Sequence, residues 1–497
     1  MQTAVINDIL DMTKEKNRRI TLYRRRRYRH RNPKLKRLAM IGIAAAVVIG
    51  AFLSLLGFVK HSNEEHTSSD IDITQEQEET SSDAETLPVA DTAEPEKITL
   101  VSGEVTAEDN VKLPDEIKQL LIDYTADKYE YTGELEYKSL SGYFNADKTY
   151  GKLYAGFCDT SLQYLIYARQ CRSADLGYDE ASFVINVVKA SVKSGVYTVN
   201  YTVSEKIMFA ISDTPAKSCG MEIEAQISKG ADGKYKFDIL AEDTDVNLLI
   251  EKRVMDYLGY DYEEYCLKDM KIPDTLDCDK MYAGILKSLK ADAETDITGQ
   301  EKMLADYNAD PDSFKTSKTA KHEYDRDKAV AYSYKWVDGE KVIRNPNYSD
   351  YAIYGGNCQN YVSQSLYAAG IPMEWSGNEQ WKWFDDEGDL SESPTGRSGS
   401  WSGTEYFYEY CNKNTGKGLV AETDGNIFSA QPGDVIQYVV DGWAHHSVIV
   451  SKVIYDDNGN VIDLLINSNT TDRVDYPMSA YGYTNIRLIK IIGYNDK

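Results

Sequence analysis

The sequence predicts an α+β protein held outside a membrane by one N-terminal transmembrane helix. Three observations predict it. An uncharged run of 22 residues, 38–59, separates a basic head from an acidic body. Helical periodicities come next and runs of strand character follow them, an α+β order. That order recurs in the last third of the chain, where a cysteine opens the helix.

The first element is the head. Residues 1–37 carry 13 Lys/Arg against 3 Asp/Glu, whereas the rest of the 497-residue chain holds 42 against 77. The net charge of −25 therefore averages two unlike parts. Residues 38–59 are long enough to cross a hydrocarbon layer of about 30 Å. With Arg24, Arg25, Arg26, Arg27, Arg29, Arg31, Lys34, Lys36 and Arg37 before the span, the positive-inside rule puts the N-terminus in the cytoplasm. Everything from Lys60 onward is then extracellular. A cleaved signal peptide would have a shorter apolar core nearer the start. An acidic body lacks the basic footprint that phosphate binding needs, so nucleic acid is not an expected partner.

Residues 60–97 are rich in Glu, Asp, Ser and Thr and bury too little apolar surface to offset chain entropy, so they read as a disordered linker. From 98 to 245 the pattern changes. Pro114 opens a helix carrying Ile117, Leu120, Leu121 and Tyr124, and a second helix covers 162–171. Strands follow over 182–191, 196–209, 221–228 and 235–241, with Gly230-Ala231-Asp232-Gly233 as the last hairpin turn. This order resembles the cone-shaped helix-plus-curved-sheet fold of the nuclear transport factor superfamily. The region has no histidine and no readable acidic site, so a spacer or binding domain is expected. Residues 246–318 form a helical connector, apolar at helical spacing over 246–258 and 281–289, with a break at 308–312.

The last domain spans 319–497 and holds all six tryptophans. A helix over 324–336 leads to the turn Gly355-Gly356-Asn357-Cys358. Val362, Ser365, Leu366 and Ala369 then share one face of a helix that stops at Gly370 and Pro372. Cys358 thus stands at a helix N-terminus, where free N–H groups and the macrodipole favour a thiolate. Another helix covers 405–412, and strands follow over 434–440, 446–454, 461–467 and 486–494. A helix with Cys at its start, followed by an antiparallel sheet, is the order of papain-type folds.

A thiolate nucleophile needs a base, and histidine suits neutral pH. Beyond the linker there are only His322, His445 and His446. His322 lies in a polar helix approach and reads as a surface residue. His445 and His446 adjoin in a strand, where neighbours point to opposite faces, so at most one can face Cys358. Asn467 and Asn469 on the next strand share a face, and either could orient the imidazole. The Cys358 backbone N–H would help to hold an oxyanion. The seven cysteines show no spacing typical of metal ligands or of a disulfide framework. No zinc-hydrolase or phosphate-loop motif occurs, and no cofactor is implied.

Four ordered segments carry a family resemblance: Asn345-Pro346-Asn347-Tyr348, Gly355 to Gln364, Gly433-Asp434-Val435-Ile436-Gln437, and Trp443 to Val450. They resemble the putative amidase domain of Gram-positive bacteria, related to the CHAP and NlpC groups of papain-like cell-wall hydrolases. The resemblance covers about 324–497 and implies a papain-like fold with Cys358 as nucleophile. Its His-Ser-apolar pattern falls on His446 and selects it as base and acid over His445. The family has Asp and Thr where this chain has Asn357 and Gln359. It often has His-Thr-x-Asp where Asn469-Thr470-Thr471-Asp472 stands, so Asn469 would replace a histidine as the orienting group. The expectation is a membrane-anchored extracellular cysteine amidase or peptidase acting on peptidoglycan. The alternative is an inactive wall-binding or assembly protein with a decayed amidase domain.

Overall fold

The structure is a computed structural model that describes residues 99–108, 111–262, 265–352, 356–375, 380–384 and 396–496. The basic head, the 38–59 span and the 60–97 linker lie outside the described residues, as does the acidic 385–389 stretch. Among the described residues no helix is long and apolar enough to cross a membrane.

The chain enters as strand β1 (Leu100–Ala107), then α1 (Asp115–Glu134), whose Ile117, Leu120, Leu121 and Tyr124 are buried as their spacing requires. Helix α2 (Thr149–Gln170) begins well before the expected 162, because Leu153, Tyr154 and Phe157 extend its apolar side. Four strands follow: β2 (Tyr178–Lys193), β3 (Val196–Phe209), β4 (Ala216–Lys229) and β5 (Tyr235–Glu242). Helix α3 (Asp245–Leu258) starts with Thr244 accepting the Asn247 N–H, a side-chain N-cap. Helix α4 (Cys278–Ala309) runs unbroken for 32 residues.

The remaining elements are α5 (Arg326–Lys335), α6 (Cys358–Ala368), α7 (Thr404–Lys413), β6 (Gly418–Thr423), β7 (Val435–Val440), β8 (Trp443–Tyr455), β9 (Val461–Ser468), β10 (Asp472–Pro477) and β11 (Ile486–Asn495). Instead of two separate sheets, the described residues form one of eleven strands, in the order β1-β2-β3-β4-β10-β9-β8-β7-β11-β6, with β5 also pairing with β4. Among the described strands only the β1–β2 pairing is parallel. The join is β10, where Asp472, Arg473 and Val474 pair with Cys219, Ser218 and Lys217 of β4.

The C-terminal half of the sheet is covered on both faces. On one, Val435, Ile449 and Ile489 pack with Val362 and Leu366 of α6 and with Trp381 and Trp401. On the reverse, Ile436, Tyr438, Val448, Val450 and Ile466 pack with Tyr178, Phe209 and Leu304 from the preceding half of the chain. Polar ties cross the same boundary. Tyr164 donates to the Gly482 carbonyl (3.1 Å), Arg169 to that of Ala480 (3.1 Å), and Asn308 exchanges two 2.9 Å bonds with Val461. The expected connector, α4, thus packs on both halves.

Candidate active site

Three segments converge on the turn before α6. Asn357 is 3 % exposed and uses every polar group of its side chain. Its Nδ2 donates to Asn469 Oδ1 (2.8 Å), and its Oδ1 accepts from the Tyr351 N–H (3.0 Å) and from Asn360 Nδ2 (2.8 Å). Its backbone N–H donates to Thr470 Oγ1 (2.7 Å). One asparagine therefore fixes the 351 segment, the start of α6 and the β9–β10 turn together. Thr470 has φ +114°, a conformation that costs a β-branched residue of order 1–3 kcal/mol and that the surrounding bonds must hold.

Cys358 follows as the first residue of α6, 5 % exposed, and the first helical bond runs from the Tyr361 N–H to the Asn357 carbonyl (2.9 Å). No charged side chain lies in that first turn, so the helix start itself supplies the positive field on the thiol. All seven cysteines are thiols.

Of the two asparagines left open by strand parity, the structure brings Asn469 to the cysteine turn. Asn467 is occupied elsewhere: it donates to Ser333 Oγ of α5 (2.9 Å) and accepts from the Asp475 N–H (2.9 Å). The histidines depart from the expectation that one of them faces Cys358. In the β7–β8 ladder Tyr438 pairs with His446 and Val439 with Ala444, so His445 is an extra residue in β8. A bulge of this kind turns two neighbouring side chains toward the same face. That face is the one away from α6. The His446 ring stacks on Tyr438 (6.2 Å between centroids) and lies 5.9 Å from Tyr481, and the His445 ring lies 6.4 Å from Tyr483. These tyrosines belong to the core on the reverse of the sheet. Burial there, with the Arg473 charge adding to it, depresses the His446 pKa to about 3. Ser447, the next residue, faces the α6 side and accepts from Gln437 Nε2 (3.0 Å). The sheet therefore stands between the His446 ring and Cys358. His322 is at the surface, 3.0 Å from Asp496.

Sequence reasoning did not single out Arg344 or Trp336, and it met Asp472 only as the end of the Asn469-Thr470-Thr471-Asp472 segment. Arg344 donates to Asp472 Oδ2 (2.8 Å) and so ties the Asn345-Pro346 approach to β10. Asp472 is fully buried, and burial pushes its pKa up to about 6 against the pull of Arg344. A small polar cavity beside the cysteine turn is lined by Trp336, Arg344, Asn345, Asn357, Gln364 and Asn469, among others. The Gly433-Asp434 motif turns out to be scaffolding. Asp434 accepts from Arg326 (2.9 Å), from the Ile491 N–H (2.9 Å) and from the Gln431 N–H (2.8 Å). A Cβ on Gly433, at φ +91°, would stand 2.9 Å from the Tyr324 hydroxyl. No group of His, Cys, Asp and Glu able to hold a metal occurs among the described residues.

Residues 323–492 match the sequence family described as "Putative amidase domain", which indicates an amidase-type hydrolase. The chain is also similar to "Uncharacterized protein YhbB" of Bacillus subtilis (strain 168), at 25 % identity over 239 residues. That alignment takes in 48 % of this chain and 64 % of the relative, so the chain spans under two thirds of the relative's length. No solved structure matches.

Proposed function

We propose, from the amidase-domain match of residues 323–492, that the protein hydrolyses an amide bond with Cys358 as the nucleophile. The observation that carries this reading is the cysteine at the start of α6, with its turn pinned by Asn357 to Asn469 and Thr470. Attack by the thiolate on the carbonyl would build an oxyanion beside the first-turn N–H groups, and collapse would expel the amine and leave a thioester for water. Asn469 acts through Asn357 as a positioning residue. The family resemblance selects His446 as the base, a role it could fill only if the extra residue of β8 lay one place later, beside Ser447. A shift of one residue turns a strand side chain to the other face. Peptidoglycan is the proposed substrate, with residues 38–59 as membrane anchor and the rest of the chain outside.

The test is turnover of purified cell-wall material. Cys358→Ala should abolish release of new amines, and His446→Ala should lower kcat by about 10²- to 10⁴-fold, whereas His445→Ala should do little. Iodoacetamide should label Cys358 faster than the other thiols below pH 7. The placement of both histidine rings behind the sheet favours a second reading, a wall-binding domain without turnover. Wall binding by wild type with no amine release, together with equal, slow labelling of all thiols, would establish that reading instead.

A further inference from the structure

The cavity beside Cys358 carries hydrogen-bond donors in excess. The Trp336 indole N–H and Arg344 Nε are buried and meet no hydrogen-bond acceptor within the described protein. Arg344 Nε lies 3.5 Å from the Asp350 carboxylate, and Arg344 Nη1 is already spent on Asp472 and the Ile343 carbonyl. The other polar walls are carboxamides and the hydroxyls of Tyr348, Ser349 and Tyr361, the last donating to the Ser333 carbonyl (2.8 Å). Asn345 Nδ2 donates to the Tyr332 hydroxyl (2.6 Å), which in turn donates to Gln364 Oε1 (2.8 Å). Asn357 and Asn469 bond each other. Two N–H groups thus remain for an acceptor oxygen, in a cavity that Asn357, the residue before the thiol, also lines. Unpaired buried donors are costly, so an acceptor that reaches them is favoured.

The local charge decides what kind of oxygen. Arg344 brings one positive charge, and Asp350 and Asp472 bring two carboxylates against it. A further carboxylate would enter a site whose cation is already matched, whereas a neutral carbonyl needs only the donors. We propose that this cavity takes an uncharged carbonyl of the substrate, a carboxamide or a peptide carbonyl, on the N–H groups of Trp336 and Arg344, and so prefers amidated to free-acid substrates. The proposal rests on the reading of Cys358 as the reacting group and assigns what lies beside it.

Two alkylating agents that differ only in this group provide the test. The purified full chain is treated in parallel with iodoacetamide and iodoacetate, and labelling is read by peptide mass spectrometry, with the half-buried Cys171 as internal reference. The amide-to-acid rate ratio at Cys358 should exceed that at Cys171 by roughly three- to tenfold, the scale of one neutral hydrogen bond. Excess acetamide, but not acetate, should slow the reaction. Trp336→Phe keeps the aromatic wall, removes the N–H, and should bring the ratio to the reference value, and Arg344→Lys should lower it. An equal ratio at the two cysteines, or one unchanged in Trp336→Phe, overturns the proposal, including the case in which only water occupies the cavity. If Cys358 labels too slowly to measure, acetamide and not acetate must still alter tryptophan emission in wild type and not in Trp336→Phe, and no difference overturns the proposal. Fast labelling with an ordinary ratio rejects the cavity alone, whereas slow labelling with a raised ratio rejects the nucleophile alone.

Discussion

At the scale of single residues, a half-buried imidazole and a buried carboxyl should give stability opposite slopes with pH. His446 has its folded pKa depressed to about 3, so its burial contributes stability that is present above its unfolded value near 6.5. That contribution is lost as pH falls toward 3, at about 1.4 kcal/mol for each pH unit. Asp472 behaves in the reverse sense. Its folded pKa is raised to about 6 from 3.8, so its contribution is present below pH 3.8 and lost as pH rises through 6, by at most about 3 kcal/mol. Urea unfolding from pH 3 to 7 should therefore show His446→Gln flattening the acid-side loss and Asp472→Asn removing the decline between pH 4 and 6. Parallel curves for wild type and His446→Gln would mean that the imidazole is not buried neutral. At Asn357 the expectation is larger. Replacement by Ala removes three side-chain bonds at a buried site and should cost about 2–4 kcal/mol in the same assay, with slower labelling of Cys358.

At the scale of elements, β8 and β10 hold the main departures from sequence expectation. Strict alternation along β8 predicts that His445 and His446 face opposite ways, and the ladder has an extra residue at that point. Bulges carry no dependable sequence mark, because the chain supplies the same residue types with or without one. Strand β10 was not expected at all. Its Asp472-Arg473-Val474-Asp475-Tyr476-Pro477 is polar, short and closed by proline, features that lower strand propensity in isolation. It forms because two neighbours offer ladders to it and because Arg473 is held by Asp245 (3.3 Å) over the rings of Tyr476 and Tyr481. Proline at Val474, in the β10–β4 pairing, should destabilise the fold by about 3 kcal/mol or more and loosen the Thr470 turn over Cys358. Thermal unfolding and the labelling rate of Cys358 would report the two effects separately.

At the scale of the whole molecule, the amidase-matching segment does not close its own core. Tyr438, Val448, Val450, Leu464, Ile466 and Tyr476 on the reverse of its sheet are covered by residues from before position 310. Each such side chain left in water forgoes about 1.5–3 kcal/mol. A chain cut to 319–497 should therefore aggregate or unfold at low urea, while 99–497 should unfold in one cooperative transition. Two separated transitions in 99–497 would show that the halves stand independently. The sequence by itself determined the local features. Helix spans follow from apolar spacing, as at Ile117, Leu120, Leu121 and Tyr124, and the cysteine turn follows from glycines before an amphipathic run. The scarcity of histidine, and the charge step that marks residues 38–59 as a proposed anchor, need no structure to be seen. Each is written in neighbouring residues or in simple counts. Only the tertiary structure decided that the two halves share one sheet, that Asn469 rather than Asn467 reaches the cysteine turn, and that His446 lies behind the sheet. Those outcomes depend on a one-residue register and on which distant surface covers each face, and energies of that kind are set by partners far away in the chain.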